Sequence, residues 1–180
     1  MQKVWKIREP DIDLKNELAR ALGASSLFAQ LLIHRGVTDP AGARHFLGAD
    51  LKDIHDPFLM KGMRPFIERL ARAIDEKQKV FIATDFDVDG VTSCAILETE
   101  LKKRGVDVTH YVPHRIKEGY GLSEETVSAA RSSGARLFVA LDCGITSVRE
   151  VNSLLEAGID AGIIDTCLSE GVNLPHARDS

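Results

Sequence analysis

Residues 79–105 read KVFIATDFDVDGVTSCAILETELKKRG: an apolar run, then Asp85, Asp87 and Asp89 at alternate positions, then, from Ser93, SCAILETELKKRG, a segment of helix length. A short run that is apolar at every position, with no polar alternation, is the pattern of a strand buried on both faces. The basic cluster LKKRG at the far end suits a helix C-terminus, where cations complement the helix dipole. Working outward, the same alternation continues through DVTHYVP, SEETVSAARSSG, RLFVALD, SVREVNSLLEAG and DAGIID. Strand, helix, strand, helix in this order predicts an α/β fold, an open, doubly wound and mainly parallel sheet covered on both faces.

That fold gives the acids a place. The three aspartates follow the first strand, Asp142 ends RLFVALD and Asp165 ends DAGIID, so three strand ends terminate in carboxylates. In an open parallel sheet those ends face one crevice. Singly, each acid is what a turn or helix cap uses, and Asp89 before Gly90 is the most turn-like. Five together repel unless they are protonated or bridged by cations, and oxygen-only donors suit Mg²⁺ or Mn²⁺. Two such ions held about 3.5–4 Å apart are a recurrent device for phosphoester hydrolysis.

Residues 1–76 have another character. DLKNELARAL, SSLFAQLLIHRG, DPAGARHFLG and MRPFIERLARAIDEKQ predict a helical lead-in, with Ser26 as an N-cap and Gly36 as a helix stop; residues 77–180 form the α/β domain. The chain has 180 residues, of which 44% are hydrophobic and 28% charged, so it can bury a core and is not disordered throughout. A net charge of −4 gives no overall basic footprint, so a polyanion has to be gripped locally or through metal. No apolar run is long enough for a bilayer, and MQKVWKIREPD lacks a signal-peptide core. Three widely spaced cysteines, Cys94, Cys143 and Cys167, suit a reducing compartment; the expected location is cytoplasmic, with no membrane partner.

Several other residues have two readings. In VPHRIKEGYG, Arg115 can clamp a phosphate beside His114 and Lys117, and Gly119 and Gly121 can let a backbone approach; a polar loop with turn glycines is the alternative. In DCGITS, the backbone around Gly144 offers N–H groups to an anion at a helix start, or is a plain strand-to-helix turn. Cys143 is expected to be a packed thiol, not a nucleophile.

TDFDVDGVTSCAIL, VPHRIKEGYGLSEETV and LFVALDCGITS, in this order and spacing, resemble the DHH phosphoesterases, and within them the RecJ-type single-stranded-DNA-specific 5′-to-3′ exonucleases. LLIHRGVTDPAGARHFL resembles the segment ahead of that family's catalytic core. The resemblance implies that Asp87 and Asp89 ligate Mn²⁺ or Mg²⁺, that Asp85 supports them and that Asp142 bridges two ions. Asp87, Asp89 and Asp142 are then the catalytic set, Asp165 a further ligand, and His114, Arg115 and Gly144 candidates for substrate binding. It also implies hydrolysis of single-stranded DNA to 5′-mononucleotides, a place in DNA repair and recombination, and protein partners from those processes.

The chain departs from the family at one motif. After AGIID the family has paired histidines, whereas here Thr166 and Cys167 follow Asp165. The family also continues past the position of Ser180 into a second lobe. The expectation is therefore a RecJ-like N-terminal domain, truncated or diverged, and weak or inactive alone. A silent DHH domain that binds nucleic acid or protein is the alternative. A second alternative is the haloacid-dehalogenase pattern, which FDVDGVT also fits, with Asp87 as phosphoryl nucleophile and Asp89 as general acid. That pattern needs a later lysine, and no convincing one follows a later strand.

Overall fold

The computed structural model describes residues 11–48 and 50–165, and the chain divides between Pro57 and Phe58 into two compact units. The first unit holds α1 (Ile12–Leu22), α2 (Ser26–His34) and α3 (Pro40–Gly48), closed around a small core of Leu18, Ala29, Leu32 and Ala43. Asp11 caps α1 by accepting from the Leu14 N–H, and Gly23 ends it in the left-handed region. The cap of α2 is Ser25, whose hydroxyl accepts from the Phe28 N–H, and not Ser26. Adjacent serines carry the same cap chemistry, so only backbone geometry tells them apart.

The second unit holds α4 (Met63–Asp75), β1 (Val80–Thr84), α5 (Val88–Lys103), β2 (Val108–Tyr111), α6 (Glu124–Ser133), β3 (Leu137–Leu141), α7 (Val148–Glu156) and β4 (Asp160–Ile164). All strand pairs are parallel, in the order β2-β1-β3-β4. Val80, Ile82, Leu137 and Val139 face α4 and α5, packing on Leu70, Ala73, Cys94 and Leu101. Phe81, Ala83, Phe138 and Ala140 face α6 and α7, packing on Val127, Ala130 and Leu154. Burial on both faces is why β1 and β3 are apolar at every position.

The sequence reading ends the helical lead-in at residue 76, yet α4 is part of the α/β unit. Its apolar stripe lies on the sheet, and Arg69 pairs with Asp160 while donating to Gln78 Oε1 (2.8 Å) and the Arg136 carbonyl (3.1 Å). Amphipathicity shows that a helix has an apolar face, but not which partner covers it.

Helix α5 also starts earlier than expected. SCAILETELKKRG begins at Ser93, but the helix begins at Val88 with Asp87 as its N-cap, so Asp89 and Gly90 lie in the first turn. Gly90 is there because nothing larger fits: a Cβ would sit 2.6 Å from Thr84 Oγ1 and 2.8 Å from the Asp85 carbonyl oxygen. Gly90→Ala is expected to destabilise the chain by about 1–3 kcal/mol, the usual range for overpacking, as read from the urea unfolding midpoint. Among the described residues, no helix is long and apolar enough to cross a membrane.

Candidate functional site

The strand order makes the site. From β1 the chain crosses over to β2 on one side, and from β3 to β4 on the other, so the winding of the connections reverses between β1 and β3 while all strands stay parallel. A ligand crevice opens at such a switch point, beyond the strands' C-terminal ends. Asp85 follows β1, Asp142 follows β3 and Asp165 follows β4, while Asp87 and Asp89 sit at the start of α5. Burial pushes the Asp142 carboxyl above the ordinary aspartate range, and so do the charges of Asp87, Asp89, Asp165 and Asp85. The five predicted acids therefore act on one crevice.

They share the crevice without collapsing into a cage: among the described residues, no three His, Cys, Asp or Glu side chains converge as a ready ligand set. Three of the acids are held by backbone donors. Asp85 Oδ1 accepts from the Phe86 N–H (2.7 Å), Asp87 Oδ1 from Gly90 (3.0 Å) and Asp165 Oδ2 from Ile145 (3.2 Å). The last of these answers the question raised by DCGITS, since one N–H of that turn already serves an anion, the chain's own Asp165.

Asp142 is one of two non-glycine residues with positive φ, at 59°, among the described residues. This left-handed geometry is unfavourable for most side chains and tolerated best by Asn and Asp. The turn is anchored by the Asp142 N–H donating to the Ile164 carbonyl (2.8 Å), and Gly144 follows at φ 98°. A Cβ on Gly144 would come within 3.2 Å of Leu122, so the glycine is needed for conformation and for contact. Cys143 is buried beneath the turn, and burial with the nearby acids pushes its thiol up to about 12; it is a packed group.

A cavity of about 270 Å³ opens here, lined by Asp89, Thr92, Ser93, Leu141, Asp142 and Ile164. Thr92 and Ser93 are additions to the predicted set. They lie one helical turn beyond Asp89, a relation hidden by starting the helix at Ser93. The Thr92 hydroxyl donates to the Val88 carbonyl (2.7 Å), while Thr84 Oγ1, at the end of β1, is buried without a hydrogen-bond partner among the described residues. A cleft of about 330 Å³ between α6 and α7 contains none of the acids.

The loop from β2 to α6 carries two of the three predicted substrate residues, His114 and Arg115, while Gly144 lies in the turn after β3. The Arg115 guanidinium lies 5.2 Å from the Phe86 ring centroid, which puts it beside the residue that follows Asp85. His114 is exposed, and its Nδ1 accepts from the Ile116 N–H (3.3 Å). Glu118 is absent from the predicted set, although its carboxylate gathers Tyr111, His114 and Ser123. The His114 N–H first, then the Tyr111 and Ser123 hydroxyls, hold its carboxyl below the usual range, and the same contact pushes the Tyr111 phenol up to about 12. Thr166 and Cys167 lie outside the described residues.

Comparison with known proteins adds to this geometry. Residues 79–176 match the DHH family, N-terminal domain. The chain is 37% identical over 174 residues to the single-stranded-DNA-specific exonuclease RecJ of Bacillus subtilis (strain 168), covering 97% of this chain and 22% of that protein. It is 35% identical over 179 residues to the protein of the same description from Escherichia coli (strain K12), covering 99% of this chain and 30% of that protein. It thus spans less than a third of the length of these relatives. A crystal structure of exonuclease RecJ bound to manganese matches with a TM-score of 0.60 at 34% identity, over 64% of this chain and 30% of that one. RecJ in complex with Mn²⁺ from Thermus thermophilus matches with a TM-score of 0.61 at 26% identity, over 92% of this chain and 23% of that one.

Proposed function

Since this chain belongs to the DHH family, we propose that its five acids at the strand ends and the α5 start hold divalent metal for the hydrolysis of phosphodiester bonds in single-stranded DNA, as in RecJ-type 5′-to-3′ exonucleases. The observation that carries this reading is the Asp142 carboxyl, raised by burial and by four neighbouring carboxylates in one crevice. The donors are all oxygen, which fits Mn²⁺ or Mg²⁺, and the unpartnered Thr84 hydroxyl beneath them marks a site with unused polar capacity. Asp85, Asp87, Asp89, Asp142 and Asp165 would hold the metal, with Asp142 shared by two ions. When bound, such ions lower the pKa of water and offset charge on the phosphate.

The protein's own part is to present and orient. Asp87 caps α5, which turns its carboxylate toward the helix start and puts Asp89 one residue inside the first turn. Arg115 brings one guanidinium over Phe86, the residue after Asp85, able to pair with a phosphate in two-point fashion, and His114 precedes it on the same exposed loop. Gly144 keeps the turn after Asp142 free of a side chain.

A binding-only DHH domain is the second reading, favoured by Thr166 and Cys167 where the family has histidines. The dehalogenase alternative falls with the family match. Calorimetric Mn²⁺ titration followed by a nuclease assay in the same buffer separates the two remaining readings, since turnover is expected only of the first. Mn²⁺ at about 100 times its dissociation constant is also expected to add roughly 2.7 kcal/mol of stability, provided that it binds only the folded chain. An unchanged melting temperature at saturation would argue for a solvated acidic rim.

A further inference from the structure

We propose that Glu118 is a positioning residue for the site: it clamps the loop of residues 112–123 and, through Tyr120, holds the Asp142 turn in its left-handed conformation. The proposal rests on the metal-site reading only for its functional consequence, because the mechanical part stands on hydrogen bonds alone.

Glu118 joins three parts of the chain. Its Oε2 accepts from Tyr111 Oη at the end of β2 (2.6 Å) and from Ser123 Oγ, the α6 N-cap (3.3 Å), while its Oε1 accepts from the His114 N–H (2.8 Å). Both ends of the loop are thereby tied to one carboxylate. Two residues on, Tyr120 donates its hydroxyl to the Asp142 carbonyl oxygen (3.3 Å), across 22 positions of sequence. Gly119 and Gly121, with φ of 78° and 90°, make the sharp path that this placement needs. Leu122 packs against Gly144, and Gly121 approaches Ser147, so the loop lies along the whole turn from residue 142 to 147.

Asp142 needs such a restraint. A non-glycine residue at φ 59° persists where its surroundings over-determine it. Asp165 grips the turn from one side through the Ile145 N–H, and Tyr120 grips the Asp142 carbonyl. Tyr120 is 62% exposed, so water competes for this bond. The bond is kept by a loop that already points the tyrosine at its acceptor, and Glu118 fixes that loop. A misplaced Asp142 carboxylate would hold less tightly any divalent ion bound there.

The test uses the 180-residue chain as Glu118→Gln, which keeps size and one acceptor oxygen, as Tyr120→Phe, and as the double variant. Amide hydrogen exchange in EDTA comes first. Glu118→Gln is expected to speed exchange about tenfold at Lys117 and Glu118 and also at Ile145 and Ser147. Tyr120→Phe is expected to speed Ile145 and Ser147 alone, and the double variant to go no further at those two amides. Mn²⁺ affinity by calorimetry is expected to fall about tenfold in each single variant and no further in the double, the non-additivity of residues acting in series. Wild-type exchange at Ile145 and Ser147 in Glu118→Gln would reduce Glu118 to a support of its own loop and overturn the proposal, as would additive losses. If Glu118→Gln does not fold, Tyr120→Phe decides by the same two amides. If the wild-type chain binds no Mn²⁺, the metal reading fails, and exchange in EDTA still decides the positioning role.

Discussion

Asp142→Asn is expected to weaken Mn²⁺ binding about 100-fold, equivalent to roughly 2.7 kcal/mol, while making the metal-free chain more stable. Opposite signs from one substitution follow from what the residue does in each state. With metal, the proposed sharing of this carboxylate by two ions would make its amide lose charge toward both. Without metal, the same charge is a liability, because burial and four other carboxylates already push its proton affinity upward. The backbone does not confound the comparison, since asparagine adopts the left-handed region at least as readily as aspartate. Linkage adds a pH signature in EDTA. The folded chain holds the Asp142 proton more tightly than the unfolded chain does, so its contribution is present at low pH and lost as the pH rises through the raised folded value. The stability advantage of Asp142→Asn over wild type is therefore expected to widen as pH rises out of the acid range and to vanish toward low pH. Thermal melts in EDTA and in excess Mn²⁺, at several pH values, check all three outcomes. Equal Mn²⁺ affinities would remove Asp142 from the metal set.

The acids were legible in the sequence because they rest on a local rule. A both-faces-buried strand is apolar throughout, so where KVFIAT, RLFVALD and DAGIID stop, the first carboxylate marks the strand end, and parallel order carries the three ends to one edge. What failed was local ambiguity or distant contact. DVDG has the residues of a turn and also those of a capped helix start, and the choice depends on Gly90 fitting against Thr84 and Asp85, a contact between a helix and a strand end. The same displacement of the α5 start hid Thr92 and Ser93. Helix α4 shows the limit from another side, since MRPFIERLARAID fixes an apolar face and the sheet that covers it is encoded elsewhere. Glu118 and Tyr120 reach partners in other elements, and an acid in a loop gives no sign that three donors will turn toward it.

The second large effect concerns the chemistry that the departed motif leaves behind. The 180-residue chain alone is expected to release mononucleotides from 5′-labelled single-stranded DNA in Mn²⁺ only slowly, and Thr166→His with Cys167→His to raise Mn²⁺ affinity about tenfold while raising turnover much less. Imidazole ligates Mn²⁺ and, protonated, steadies a phosphate; a threonine hydroxyl is a weak ligand, and a soft thiolate is poorly matched to a hard ion. The pair would follow Asp165 directly in sequence and is proposed to add ligands to the five acids. Turnover asks for more than ligands. In phosphoryl transfer, holding the substrate in line supplies much of the rate, and a chain that spans less than a third of its relatives' length offers for this task the Arg115 loop and the α5 start. Asp87→Ala serves as the control, because it removes a proposed ligand together with the α5 cap, and it is expected to abolish whatever release the chain shows. Brisk release by the wild-type chain, lost in Asp87→Ala, would show that the histidine pair is dispensable here. The five acids would then be a sufficient site, and Thr166 and Cys167 a tolerated change in the motif.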